Sequence, residues 1–241
     1  MIGLIGAMAE EISLLKDNMK HIDKTVHAGM EYLTGSLHGQ EFVLLKSGIG
    51  KVNATIGTQI MIDKFPVERI IFTGLAGALV PNLSRGDIVV SNYVVQYDFD
   101  LTTFGRRYGE LPDIGRLIEA DPVLVKLACY AFDDVFKSVK GAPRLVVGTI
   151  ASGDRFVADE RQIEWLQREF GAVAIEMEGA AIGYTCHVNK VPFVIIRTIS
   201  DSGGSNAKDE FESFLSQASQ NSFKMVDSFF QTVAHRATAE T

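Results

Sequence analysis

The sequence predicts an α/β protein, a single domain over residues 1–241 built as a three-layer α/β/α sandwich around a mixed, twisted β-sheet. Three observations carry this prediction. Short apolar runs alternate with stretches of helical periodicity along the whole chain. The runs Arg69-Ile70-Ile71-Phe72-Thr73 and Pro192-Phe193-Val194-Ile195-Ile196 lack polar alternation, which marks strands covered on both faces. Residues 31–46 read as a hairpin, with Tyr32-Leu33-Thr34-Gly35-Ser36 turning at His38-Gly39-Gln40 into Phe42-Val43-Leu44-Leu45.

In chain order, the apolar run at 2–7 predicts a first strand, and the spacing over 9–19 a helix behind it. The hairpin supplies strands at 31–36 and 41–46, followed by a helix over 51–63. Strands at 69–75 and 87–96 precede a helix over 122–137. A strand at 145–151 leads to a helix over 159–169, whose face is set by Ile163, Leu166 and Phe170. The last third reads as strand 172–176, helix 178–188, strand 192–198 and helix 208–233. The 22 glycines and six prolines are scattered, with no linker, repeat or low-complexity tract, and 46% hydrophobic content suits one large core.

Charge and composition exclude several classes of function. A formal charge of −7 argues against a nucleic-acid surface, which needs concentrated Lys and Arg. No run of like charges suggests a membrane surface, the N-terminus lacks the basic region of a signal peptide, and no apolar stretch is long enough to cross a bilayer. Cys129 and Cys186 both fall in apolar helical patterns and read as packed thiols. The five histidines show no ligand spacing. The expectation is a soluble, cytoplasmic protein with no metal site and no cofactor.

Chemistry gathers at strand ends. Residues 174–180, Ala-Ile-Glu-Met-Glu-Gly-Ala, place Glu176 and Glu178 where an apolar strand gives way to a helix. Carboxylates at a buried strand end must meet donors, and an i, i+2 pair in extended chain points one way, as a vicinal diol would require. Solvated acids at a helix start are the plainer alternative. Glu11 falls in the first turn of the first helix, and Asp201 ends the run Ile195-Ile196-Arg197-Thr198-Ile199-Ser200-Asp201, where it also suits an N-cap or a turn. Arg197, late in a buried strand, must find a carboxylate or an oxyanion. Together these make four carboxylates and one guanidinium at strand ends, which converge on a common crevice.

Glycine-rich strand ends recur: Gly3-Leu4-Ile5-Gly6-Ala7-Met8, Ser47-Gly48-Ile49-Gly50-Lys51, Thr73-Gly74-Leu75-Ala76-Gly77 and Ala151-Ser152-Gly153-Asp154. Such glycines let backbone amides approach a ligand. The second run is not a P-loop, because Leu45 stands where the earlier glycine is needed and Val52 where a Ser or Thr follows the lysine. No G-x-G-x-x-G with a suitable acid supports a dinucleotide site.

These residues carry a resemblance to the bacterial 5′-methylthioadenosine/S-adenosylhomocysteine nucleosidases of the nucleoside phosphorylase superfamily, from residue 2 to about 230. Its carriers are Ile5-Gly6-Ala7-Met8 with Glu10-Glu11, Lys46-Ser47-Gly48-Ile49-Gly50-Lys51-Val52, Thr73-Gly74 with Ala76-Gly77, and Gly86-Asp87-Ile88-Val89-Val90. Asp98 with Asp100, Phe104-Gly105, Ser152-Gly153-Asp154, Glu176-Met177-Glu178 and Ser200-Asp201 complete it. The resemblance implies a nucleoside phosphorylase-like fold and hydrolysis of the bond between adenine and a 5′-thio-substituted ribose. It implies that Asp201, with Ser200 beside it, promotes protonation of adenine N7, and that Glu11 deprotonates the attacking water. It places Glu178 on the ribose hydroxyls with Met177 against the sugar, and Glu176 and Arg197 on the water side. Phe156 would stack on adenine and the Val157 backbone would read its edge. Met8, Ile49 and Phe211 would line the 5′-alkylthio pocket, joined by Phe104 from a second copy in a homodimer.

Two positions depart from the family pattern. Leu75 stands where a small hydroxyl residue often follows Thr-Gly, which removes any side-chain contact to sugar or water there. Arg106 stands where an aromatic is common; it is either an exposed residue beside Arg107 or a partner for the amino-acid carboxylate of S-adenosylhomocysteine. The Ser202-Gly203-Gly204-Ser205 stretch would let the following helix, with Phe211 and Phe214, close over ligand. Three alternatives remain beside the nucleosidase: an aminodeoxyfutalosine nucleosidase, a purine nucleoside phosphorylase, and a non-catalytic nucleoside sensor.

Overall fold

The computed structural model describes residues 1–202 and 206–239, with side chains as far as residue 234. Gly203, Gly204 and Ser205, the heart of the expected hinge, lie outside the described residues. The elements are β1 (Ile2–Gly6), α1 (Ala9–Asn18), β2 (Lys20–His27), β3 (Met30–Leu37), β4 (Gln40–Lys46), α2 (Lys51–Lys64), β5 (Arg69–Ala78) and β6 (Ile88–Gln96). A 3-10 turn at Thr102–Phe104 precedes β7 (Ile118–Glu119), α3 (Pro122–Phe136), β8 (Leu145–Ser152), α4 (Glu160–Phe170), β9 (Ala172–Glu176), α5 (Gly179–Asn189), β10 (Phe193–Asp201) and α6 (Ala207–Ala239).

Every predicted strand and helix is present, but two strands escaped the sequence reading. β2 is exposed along nearly its whole length, with Ile22 and Val26 open to solvent, so no apolar face announces it. β7 is two residues long. The hairpin turn is as read: His38 (φ 50°) and Gly39 (φ 75°) are both left-handed, the backbone a two-residue turn between twisted strands requires. Helix starts follow local chemistry too. The Asp121 carboxylate accepts from the amides of Val123 (3.0 Å) and Leu124 (2.9 Å), with Pro122 in the first turn of α3.

The strands form one mixed sheet. β1 pairs in parallel with β4 and β5, and the β4–β3–β2 meander extends one side antiparallel. On the other side β5 pairs with β10, β10 with β6, β6 with β8, β8 with β9, and β9 returns to the end of β5 through Gly77↔Ile175. Five strands therefore curl into a closed ring, and β5 belongs both to this ring and to the open sheet.

Two hydrophobic clusters cover the two faces. Leu4, Ile71, Val194 and Ile196 pack under α1, α3 and α6, including Leu15, Phe132, Phe229 and Phe230. Ile5, Ile70, Phe72 and Ile195 pack under α2 and α5 with Ala54, Met61, Ile182 and Cys186. Neighbouring residues of one strand thus serve opposite faces, which explains why these runs are apolar throughout. α4 closes a third cluster through Leu166 and Phe170. Among the described residues no helix is long and apolar enough to cross a membrane.

Phe230 is fully buried, with its ring edge-on to Phe42 at 5.0 Å between centroids. Phe230→Ala should lower unfolding free energy by about 3–5 kcal/mol, read from urea denaturation. A loss well under this would mean that α6 is not a fixed part of that layer.

Candidate active site

The carboxyl ends of β1, β5, β9 and β10 meet at one cavity of about 390 Å³, within the range of small-molecule sites. Of the residues assigned to a site by resemblance, Met8, Glu11, Ile49, Phe156, Val157, Glu176, Met177, Glu178, Ser200, Asp201 and Phe211 line it, together with Leu75 and Arg155. Arg197 and Phe104 do not.

Glu11 lies in the first turn of α1 but is buried, so the plainer reading of a solvated helix acid fails. Its carboxylate folds back over its own helix start: Oε2 accepts from the amides of Ala7 (2.7 Å) and Met8 (2.9 Å), and Oε1 from that of Leu75 (3.0 Å). Burial raises its pKa against the opposing pull of Arg197 and these three amides. Leu75 serves Glu11 through its backbone, which a change of side chain leaves intact, while its isobutyl group makes the cavity wall apolar.

β9 ends at Glu176, whose carboxylate accepts from the Ser152 hydroxyl and from the amides of Glu178 (3.1 Å) and Gly179 (2.8 and 2.9 Å) at the start of α5. It also pairs with the Arg197 guanidinium. Glu178 has left the strand conformation (φ −136°, ψ −39°), so the two carboxylates are not aligned by the pleat. They are brought together by Arg197, whose Nη2 lies 3.6 Å from Glu178 Oε2 and whose Nη1 lies 3.9 Å from Glu11 Oε1. Arg197 is completely buried, with its Cζ 3.8 Å from the centroid of the Phe72 ring.

Three buried acids share this one cation. Glu178 yields: burial first, then the charge of Glu176, push its pKa up to about 8, although Arg197 and the Gly50 amide (2.7 Å from Oε1) oppose the rise. Asp201, at the end of β10, accepts at Oδ2 from the Ser200 hydroxyl (2.8 Å), which also reaches the Ala76 carbonyl (3.2 Å).

The Thr73-Gly74-Leu75-Ala76-Gly77 run now has a steric explanation. A Cβ at Gly74 would sit 2.1 Å from Arg197 Nη1 and 2.3 Å from Glu11 Oε1, and one at Gly77 would sit 2.8 Å from Asp201 Oδ1. The sequence reading expected the glycine runs to bring amides to a ligand; instead Gly74 and Gly77 make room for side chains, and the Gly50 amide and the Ser152 hydroxyl bind Glu178 and Glu176. The signal for all of them was the recurrence of glycine at strand ends.

Phe156 and Phe211 meet edge-on at 6.2 Å. Phe214 instead lies under the Arg85 guanidinium at 5.5 Å. Phe104 is 80% exposed on its 3-10 turn. Arg106 is exposed and forms an ion pair with Glu110 at 2.8 Å, away from the cavity lining of its own chain. Among the described residues no group of three or more His, Cys, Asp or Glu is arranged to hold a metal ion.

This fold, with buried acids around a cavity at the strand ends, defines a nucleoside-handling α/β enzyme, and comparison with known proteins agrees. The phosphorylase superfamily profile matches residues 1–231. A 5′-methylthioadenosine/S-adenosylhomocysteine nucleosidase of a Geobacillus species is 42% identical over 226 residues, covering 93% of this chain and 95% of that protein. The Neisseria meningitidis nucleosidase of the same name, solved in complex with methylthio-immucillin-A, superposes with a TM-score of 0.89 at 38% identity, over 95% of this chain and 97% of that one. A futalosine hydrolase mutant of Helicobacter pylori also superposes at 0.89, with 35% identity over 95% of this chain and 98% of that one. The chain belongs to the phosphorylase superfamily and, within it, to the family of the 5′-methylthioadenosine/S-adenosylhomocysteine nucleosidases.

The raised pKa of Glu178 has a consequence for stability. Between its ordinary 4.5 and about 8 the folded chain holds a proton that the unfolded chain releases. Stability from this group is therefore full below 4.5 and declines as pH rises through about 8. Glu178→Gln should flatten the fall of the urea midpoint with pH across this window. An unchanged slope would show that the proton resides elsewhere in the cluster.

Proposed function

We propose that this protein hydrolyses the N-glycosidic bond of 5′-methylthioadenosine and S-adenosylhomocysteine, releasing adenine and the 5-thio-substituted ribose. The observation that carries the reading is the placement of two buried carboxylates along one strand. Glu11 packs at Gly74 and Asp201 at Gly77, three residues apart on β5 and so separated by about 10 Å of strand. A base and an acid so spaced suit the two sides of a breaking glycosidic bond.

The C1′–N9 bond breaks, its electron pair passing to adenine, as Asp201 relays a solvent proton to N7 so that the base leaves neutral; adenine leaves poorly without it. Water forms the new bond to C1′ and gives its proton to Glu11, whose raised pKa suits a base. The oxocarbenium-like sugar between them is stabilised by the surrounding carboxylates. Glu178 holds the ribose hydroxyls beside Met177. Arg197 and Glu176, expected on the water side, act indirectly: Arg197 pairs with Glu11, Glu176 and Glu178 from behind the cavity wall, and both Glu176 oxygens are bound within the protein. Phe156 stacks on the base and the Val157 backbone meets its edge. Met8, Ile49 and Phe211 receive the 5′-thio group.

Phosphorolysis is disfavoured. Arg197 is committed to three carboxylates and Glu11 occupies the nucleophile side, so phosphate would meet negative charge. The likeness to the Helicobacter pylori futalosine hydrolase favours aminodeoxyfutalosine as the second reading, because adenine and ribose contacts would be shared. A non-catalytic sensor has no need of a buried base such as Glu11. The protein acts in the cytoplasm as a single nucleosidase domain and as a homodimer, with exposed Phe104 entering the partner's cavity.

Purified protein should release adenine from 5′-methylthioadenosine and S-adenosylhomocysteine at the same rate with and without phosphate. Strict phosphate dependence would make it a phosphorylase, and release from aminodeoxyfutalosine alone would select the second reading. Asp201→Asn should lower kcat by roughly 10²–10⁴-fold while weakening an adenine-containing inhibitor far less; equal losses would reduce Asp201 to a binding role.

Phe104→Ala should raise KM for methylthioadenosine. Subunit exchange with inactive Glu11→Gln chains should restore the wild-type KM in the hybrid, whose one complete site takes Glu11 and Phe104 from different copies. A sedimentation profile of monomers, or no restoration, would refute the shared site.

A further inference from the structure

The Ser47-Gly48-Ile49-Gly50-Lys51 run resembles a phosphate loop in composition only, and the structure gives it other work. At the start of α2 the Gly50 amide donates to Glu178 Oε1 (2.7 Å) and the Lys51 amide to Asp154 Oδ1 (2.8 Å). The amides that would gather an anion in a phosphate loop are taken by the protein's own carboxylates. The Lys51 side chain reaches the other way, donating from Nζ to Asp98 Oδ1 at 2.6 Å. Asp98 Oδ2 in turn accepts from the Asp154 amide at 3.0 Å.

These contacts close on themselves. Lys51 holds Asp98 by its side chain, Asp98 holds the Asp154 backbone, and the Asp154 carboxylate returns to the Lys51 backbone. The ring joins three segments distant in sequence: the α2 start, the chain after β6 and the chain after β8. The next residues after Asp154 are Arg155, Phe156 and Val157, which line the cavity, as does Ile49 just before the turn. No regular element holds residues 153–159, since β8 ends at Ser152 and α4 starts at Glu160; Val157 is anchored in the third hydrophobic cluster, while Asp154, Arg155 and Phe156 are exposed.

We propose that Lys51 is a positioning residue, closing a ring of contacts that fixes the cavity edge carrying Phe156 and Val157. An ion pair this close to solvent adds little to global stability. Its effect falls instead on where a loop sits, and a small displacement of a binding loop is felt as lost affinity. The substrate half of this inference rests on the nucleosidase reading; the ring itself does not.

Lys51→Met is compared with wild type and with Lys51→Arg. Hydrogen exchange at the amides of residues 154–157 should quicken in Lys51→Met while the amides of α6 keep their protection. KM for methylthioadenosine should rise about tenfold, with kcat falling less than about threefold, and Lys51→Arg should recover most of both. Asp98→Asn opens the ring from its other side and should give the same signature, with no further loss in the double variant. Unchanged exchange at Asp154, or faster exchange with KM within about twofold of wild type, overturns the proposal. Wild-type protein that releases no adenine would sink the substrate reading instead, and the exchange measurement would still decide the ring.

Discussion

The site depends on one buried guanidinium. Arg197 has no access to solvent, and a charge so placed is tolerated only when it is matched at close range. It is matched three times over, by Glu176 and Glu178 from the β9–α5 junction and by Glu11 from the first turn of α1. The surplus of negative charge is then itself a problem, met partly by seven amide contacts and a hydroxyl and partly by the high proton affinity of Glu178. A cavity that already carries excess negative charge attracts a developing cation and repels an added anion. The same electrostatics favours an oxocarbenium-like sugar and disfavours phosphate.

The cluster can exist only because β5 withdraws its side chains from it. Gly74 leaves room for Arg197 and Glu11, and Gly77 for Asp201. β5 is also the strand at which the five-strand ring joins the open sheet, pairing with β1, β9 and β10. One strand therefore sets both the closure of the sheet and the distance between the two carboxylates proposed for catalysis. A substitution at Gly74 would strike the charge cluster before it strikes the hydrophobic core.

Most of the fold was legible because burial writes itself into periodicity. Strands packed on both faces, such as β5 and β10, show unbroken apolar runs, and α4 shows its stripe at Ile163, Leu166 and Phe170. β2 was illegible for the converse reason, since an exposed edge strand has no apolar face to show. The closing of the ring was also hidden, because it is decided by a two-residue pairing, Gly77↔Ile175 and Ala78↔Ala174, far apart in sequence. At the site, residue types named the candidate acids, but their environments could not be read. Glu11 has the sequence signature of an ordinary first-turn acid, and only its three backbone donors reveal it as buried. Leu75 looked only like a lost side-chain contact, yet its amide, which every residue except proline carries, holds Glu11.

The glycine-rich turn before α2 extends this lesson from residues to motifs. A helix start offers free amides and a positive dipole end, and the usual inference is an external anion. Here Glu178 and Asp154 take those amides, so the turn's attraction for negative charge is spent within the chain. That internal use is what lets Glu178 sit at the cavity at all: its Oε1 is anchored at Gly50, leaving Oε2 between Arg197 and the open space. A carboxylate fixed at one oxygen can present the other to a ribose hydroxyl with little entropy left to lose. The acidic pair that first drew notice thus divides by anchorage. Glu176 is bound at both oxygens within the protein, while Glu178 is bound firmly at only one, and that difference supports the proposal of Glu178 over Glu176 as the acid that meets the ribose.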